Sequence, residues 1–246
     1  MTSLRVRVAN RFPGLGDCWR TLRAWRDRAA LPRATYAEFG EDEWVARALD
    51  GLDLAGAIYV DVGAFHPTSL SNTYLFYRRG RRGVVVEPNP QLWALHRRIR
   101  PEDVAVCAAC GSRAAVAELY RFSTPADASV VAARVDHNVS RKHLRPLPSF
   151  HVPVLPLDTI LEAVPHDWIF LLSVDTEGFD TEVLRGASRA LERSLYACVE
   201  VLSAEAERSV SEVLAPRGFR LVHRTSRNRL FENPAVRTRR SEEPKV

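Results

Sequence analysis

The chain has 246 residues, 46% hydrophobic and 26% charged, a balance that suits one large folded domain and excludes a disordered or fibrous chain. No apolar run approaches the ~20 residues of a membrane-spanning helix, and the opening MTSLRVRVANRF lacks the apolar core of a secretory signal, so a cytoplasmic protein is expected. The net charge of +5 is uneven: residues 1–34 hold eight Arg against Asp17 and Asp27, leaving the remainder slightly acidic, which argues against nucleic acid as a partner.

Within that basic extension, Leu15, Trp19, Leu22 and Trp25 recur at helical spacing. The expected use is packing on its own domain or on a second subunit of a homo-oligomer; peripheral contact with a membrane surface is the other. From residue 36 helical and strand-like patterns alternate. YAEFGEDEWVARAL reads as a helix, AIYVDVG as a short buried strand, and SNTYLFYRRG as a helix closed by Gly80. GVVVEPNP is a second strand, and PQLWALHRRI a helix with Pro90 in its first turn. DVAVCAACG reads as a third strand. Its Cys107 and Cys110 form a lone C-x-x-C without the second pair a zinc site would want, so buried free thiols are expected.

AVAELYRF is a further strand, after which residues 123–151 lose their periodicity. That stretch, with His137, Asn138, Arg141, Lys142 and His143, has the composition of a substrate lid. HVPVLPLDTILEAV gives a strand and a short helix, WIFLLSVD a fully buried strand, and DTEVLRGASRALER a helix. LYACVEVL is another strand, AEAERSVSEVLAPRG a helix ended by Gly218, and FRLVHRT with NRLFEN an antiparallel hairpin. The tail 234–246 is read as disordered, which leaves 35–233 as the catalytic domain. Near-continuous apolar strands separated by helices predict an α/β fold with a mostly parallel sheet.

In such a sheet, ligands bind beyond the carboxyl ends of the strands. Four strands here end in acid, at Asp61, Glu87, Asp175 and Glu200, which packing alone would not select. Glu87 follows Asp61 by 26 residues, where a carboxylate can accept from both hydroxyls of a ribose. Gly63 gives the turn room for close backbone approach. The glycines of a dinucleotide fingerprint are missing after Gly63, where Ala64, Phe65, His66 and Pro67 stand. A ribose site without a diphosphate cradle suits S-adenosylmethionine rather than NAD or FAD.

YAEFGEDEWV, YVDVGAFHPTSLSNTYLFYRRGRRGVVVEPNP and LLSVDTEGFDTEVLRG together resemble the FkbM family of S-adenosylmethionine-dependent methyltransferases, over about residues 36–222. The resemblance implies a class I methyltransferase (Rossmann-like) fold with helices on both faces of the sheet. It implies O-methyl transfer to a hydroxyl of a sugar or natural product. By that likeness Asp61 and Gly63 line the methionine end of the cofactor, Glu87 holds the ribose, and Asn89 supports the same turn. Asp103, Val104 and Ala105, continuing to Val106, border the adenine, and Glu41 and Asp42 match a G-E-D motif that closes over the site.

A hydroxyl acceptor benefits from a general base, and the candidates are Asp175, Glu177 and His66. Asp175 and Glu177 are two apart, so strand geometry would turn both to one side, with Gly178 as the pivot. Asp180, before T-E-V-L, reads as a helix N-cap. Glu200 and Asp175 around Mg²⁺, or Glu200 on a loop hydrogen bond, both stay open, and no metal is assigned. The alternative function is a metal-dependent sugar-nucleotide transferase using the D-x-E motif.

Overall fold

The computed structural model describes residues 35–242, so the basic amphipathic reading of 1–34 lies outside the described residues. A seven-stranded sheet runs β3-β2-β1-β7-β8-β10-β9. It consists of β1 (Ala57–Val62), β2 (Gly83–Val86), β3 (Val104–Val106), β7 (Trp168–Val174), β8 (Ser194–Glu200), β9 (Arg220–Arg224) and β10 (Asn228–Glu232). The first five pair in parallel, and β9 and β10 form the expected antiparallel hairpin, with β10 antiparallel to β8. This is the class I methyltransferase architecture. Its order reverses between β1 and β7, the switch point where an open sheet leaves a crevice.

Both β7 and β8 are buried at every residue, the condition under which strands read as unbroken apolar runs. Alternation along β1 sorts the core into two layers. Val60 and Val62 join one cluster with Leu172, Val174, Leu184, Leu191 and Val210. Tyr59, on the opposite face, joins Val45, Phe76, Phe170, Tyr196 and Leu230. Helices α1 (Glu41–Ala48) and α2 (Tyr74–Arg78) cover that second face. Helix α3 (Pro90–Ile99) follows β2, its amide of Gln91 capped by Asn89 Oδ1 at 3.0 Å.

The reading of DVAVCAACG as one strand is corrected: the chain leaves the main sheet after Val106, and Ala109–Cys110 forms β4 of a separate sheet. That small sheet, β4-β6-β5, adds β5 (Ala115–Phe122) and β6 (Pro146–Leu155). Between β5 and β6 lie a 3₁₀ turn (Pro125–Asp127) and helix α4 (Ala133–Ser140), so 123–151 is more ordered than its composition suggests. Polar anchors replace an apolar stripe there: Asn138 is buried and donates to the Asp127 carbonyl at 3.2 Å, and Lys142 pairs with Asp127. Cys107 is half-buried and Cys110 buried, both free, with burial pushing the Cys110 thiol up to about 12.

Helices α5 (Leu157–Leu161), α6 (Asp180–Arg185), α7 (Ser188–Glu192) and α8 (Ala204–Leu214) supply the first core layer. The tail is not disordered over its first part. Pro234–Glu242 forms α9, with Val236 buried and Arg237 Nε 2.5 Å from Glu232; residues 243–246 lie outside the described residues.

Candidate active site

Asp61, next to last in β1, is buried and accepts from Thr73 Oγ1 at 2.6 Å. Thr73 Oγ1 in turn accepts from the fully buried Arg100 guanidinium at 3.0 Å. Burial holds the Asp61 carboxyl above its ordinary range, opposed by the Thr73 hydrogen bond. One residue beyond the strand end, Gly63 turns the chain at φ +78°, and its amide donates to the Val86 carbonyl of β2 at 2.9 Å. The space a Cβ would take at Gly63 belongs to the Asp175 carbonyl, so this glycine packs two strand ends together.

Glu87 closes β2 with its carboxylate turned back under the β1 loop. Its Oε2 accepts from the Phe65 amide at 2.9 Å and its Oε1 from the Asn89 amide at 2.8 Å. Burial nevertheless raises its pKa to about 8, outweighing both backbone bonds, with nearby Asp61 adding to the rise. Beside it lies a cavity walled by Val62, Phe65, Pro88, Ala108, Leu119 and Phe179, with Glu87 and Asp175 at its edge. Part of its wall comes from Pro125, Ala126 and Ala128–Val130 of the 123–151 segment.

A second, polar cavity adjoins the first and shares Gly63, Phe65, Ala126, Asp175 and Glu177 with it. It also touches Glu38, Asp61, Asn72, Asp127, Arg227 and Asn228. Asp175 and Glu177 meet here, though not by strand alternation, because β7 ends at Val174. Glu177 instead takes a left-handed φ of +52°, a conformation that costs a non-glycine residue ~1–2 kcal/mol. Contacts from the 123–151 segment hold it there: Arg134 Nη2 lies 2.6 Å from its Oε2, and Ser129 Oγ donates to its carbonyl at 3.0 Å.

Glu200, at the end of β8, completes a carboxylate cluster with these two. Val174 pairs with Val199, so Asp175 and Glu200 are the next residues along two neighbouring parallel strands. Both carboxyls are raised first by burial, then Asp175 by the charges of Asp180 and Glu177 and Glu200 by that of Asp175; a hydrogen bond with Glu200 lowers Asp175, and Arg227 opposes both rises, through a 2.5 Å contact to Glu200 Oε1. The two arginines carry no motif in the sequence. Arg134 lies on α4 and Arg227 in the β9–β10 turn, and only the fold brings them to the site.

Several expectations are corrected. Asp103 is at the wrong end of the sheet: it accepts from the amide of Gly83, the first residue of β2, at 3.0 Å, and pairs with Arg100 at 2.7 Å. Val104 and Ala105 pair with Val84 and Val85, below the carboxyl edge, and Val104 is exposed, so 103–105 do not border the cavity. The segment that does is Ala108–Cys110. His66 is buried and does not line either cavity; its Nδ1 accepts from the amides of Thr68 (3.2 Å) and Ser69 (3.1 Å), which stabilises a turn. Asp180 is the first residue of α6 rather than its cap. Its carboxylate reaches back to the Thr176 amide at 2.8 Å and the Gly178 amide at 3.2 Å, tying down the loop that carries Glu177. Glu41 and Asp42, of the G-E-D motif, are first-turn residues of α1 and both are buried. Glu41 Oε1 accepts from Asn228 Nδ2 at 2.7 Å and Thr225 Oγ1 at 2.9 Å, fixing the turn that carries Arg227.

Residues 61–221, more than half of the chain, match the family described as the methyltransferase FkbM domain. The chain belongs to the FkbM methyltransferase family. The match removes the ground for a sugar-nucleotide transferase. Methyltransferase FkbM from Methylobacillus flagellatus KT, a solved structure, is similar over 72% of this chain and 44% of its own, at 17% identity and a TM-score of 0.44. This chain therefore spans less than half the length of that protein. Comparison with curated proteins found no match. Among the described residues no helix is long and apolar enough to cross a membrane.

Proposed function

We propose that this FkbM methyltransferase uses S-adenosylmethionine to methylate a hydroxyl of a saccharide or natural product. The observation that carries the reading is the pair of adjoining cavities at the carboxyl edge, one apolar beside Glu87 and one polar around Asp175. Glu87 would hold the ribose, Asp61 and the Gly63 turn the methionine end, and the apolar wall of Phe65, Pro88 and Ala108 the base. Asn89 supports the Glu87 turn through its amide.

Bound there, S-adenosylmethionine would supply an electrophilic methyl group on a sulfonium leaving group. The chain's part is mainly alignment, where effective molarities of ~10⁵–10⁸ M are available. Asn72, Asn228 and Arg227 offer hydrogen-bond donors to an acceptor in the polar cavity. Asp175, lining both cavities, takes the hydroxyl proton, a contribution of ~10²–10⁴-fold in rate.

Isothermal titration with S-adenosylhomocysteine tests the cofactor half: binding is expected, and Glu87→Ala should weaken it tenfold or more. Asp175→Asn should keep that affinity and lose turnover in a screen of hydroxylated acceptors. No binding by the wild-type chain would overturn the cofactor assignment, and an active Asp175→Asn would overturn the base.

A further inference from the structure

We propose that Asp175, Glu177 and Glu200 form a site for one divalent cation of hard-oxygen preference, Mg²⁺ or Mn²⁺, on the border between the two cavities. The three carboxylates come from the end of β7, the turn after it and the end of β8, and each offers an oxygen within 4.8 Å of the others. Hard cations of this class take carboxylate oxygens and complete their shell with water or a substrate oxygen.

Glu200 gives the second, independent observation. It is only 2% exposed, and its Oε2 is buried without any hydrogen-bond donor, while Arg227 occupies Oε1. A buried carboxyl oxygen without a donor is costly for a fold to retain. Its neighbour in the cluster is a second carboxyl, Asp175, which either shares a proton with it or repels it. An ion between them satisfies both.

The part such an ion would play rests on the methyltransferase reading, whereas the ligand set does not. A cation so placed would take the acceptor hydroxyl as a ligand and raise its acidity. The proton passes to the carboxylate oxygen of Asp175 that does not ligate the ion. The acceptor oxygen keeps the electron pair that forms the new bond to carbon.

The test is Mn²⁺ binding to the full chain, followed by electron paramagnetic resonance with and without S-adenosylhomocysteine, beside calorimetry of S-adenosylhomocysteine alone. One bound Mn²⁺ per chain is expected, competed by Mg²⁺. Glu200→Gln, close to isosteric, should weaken it at least tenfold while S-adenosylhomocysteine affinity changes less than twofold; Glu177→Gln should weaken Mn²⁺ similarly. Absence of Mn²⁺ binding to a chain that binds S-adenosylhomocysteine would overturn the cation site and leave the methyltransferase reading standing, with a shared proton between Asp175 and Glu200 in its place. Wild-type Mn²⁺ affinity in Glu200→Gln would overturn it equally. Mn²⁺ bound by a chain that ignores S-adenosylhomocysteine would support the cation site and sink the cofactor assignment instead.

Discussion

Gly63→Ala tests whether the turn after β1 is shaped by strand packing. The substitution has two separable costs. Gly63 sits at φ +78°, so any L side chain there loses ~1–2 kcal/mol to the left-handed conformation. The new Cβ would also stand 2.8 Å from the Asp175 carbonyl carbon and closer still to its oxygen. Both atoms are backbone, and no rotamer can move them aside. Pushing the end of β7 away adds ~1–3 kcal/mol of overpacking. The total, ~2–5 kcal/mol, is a large part of the ~5–15 kcal/mol that holds an ordinary domain together. At ~2–4 °C per kcal/mol for a domain of this size, Tm should fall by ~5–15 °C.

Gly80→Ala is the control, because Gly80 has φ +82° with nothing within 4 Å of the added carbon. It should lose only the conformational part, ~3–6 °C. Thermal unfolding by circular dichroism measures both, and titration with S-adenosylhomocysteine should show an additional loss of affinity for Gly63→Ala alone. If Gly63→Ala proved no less stable than Gly80→Ala, the contact between the two strand ends would not be what requires the glycine.

Two further outcomes follow from buried charge. Because the folded pKa of Glu87 is raised from 4.5 to about 8, its share of stability is full below the lower value and is lost as pH rises through the upper one. At ~1.4 kcal/mol per unit, the apo protein should lose ~3 kcal/mol from this group between about pH 6 and about pH 9. Glu87→Gln should remove that part of the slope in pH-dependent denaturant unfolding, and an unchanged slope would refute the assignment. Arg100→Met leaves Asp103 buried without its counter-ion and should cost ~3–5 kcal/mol in urea unfolding; the double variant with Asp103→Leu should recover much of it.

The elements legible in the sequence were those whose local pattern and tertiary role coincide. β1, β2, β7 and β8 are apolar because both faces are buried, and the acids at their ends stand out against that background. The hairpin of β9 and β10 and the capping of α3 by Asn89 are likewise local. Local pattern misled where a residue's partner lies far along the chain. The family likeness placed Asp103 at the adenine edge, but it faces Gly83 and Arg100 at the opposite end of the sheet. VAVCAACG looks like one strand but divides between two sheets. The tail looks polar enough to be disordered, yet Val236 and Arg237 dock it onto β8 and β10.

Composition and spacing thus determined the parallel sheet, the acid-ended strands and the family motifs, all of which depend on near neighbours in the chain. Only the tertiary structure decided which acids share a site. It also decided that Gly63 accommodates a strand end, that Asp180 braces a loop, and that Arg134 and Arg227 converge on Glu177. Those outcomes depend on strand register and on where the 123–151 segment packs, through contacts between residues tens of positions apart that no local pattern encodes.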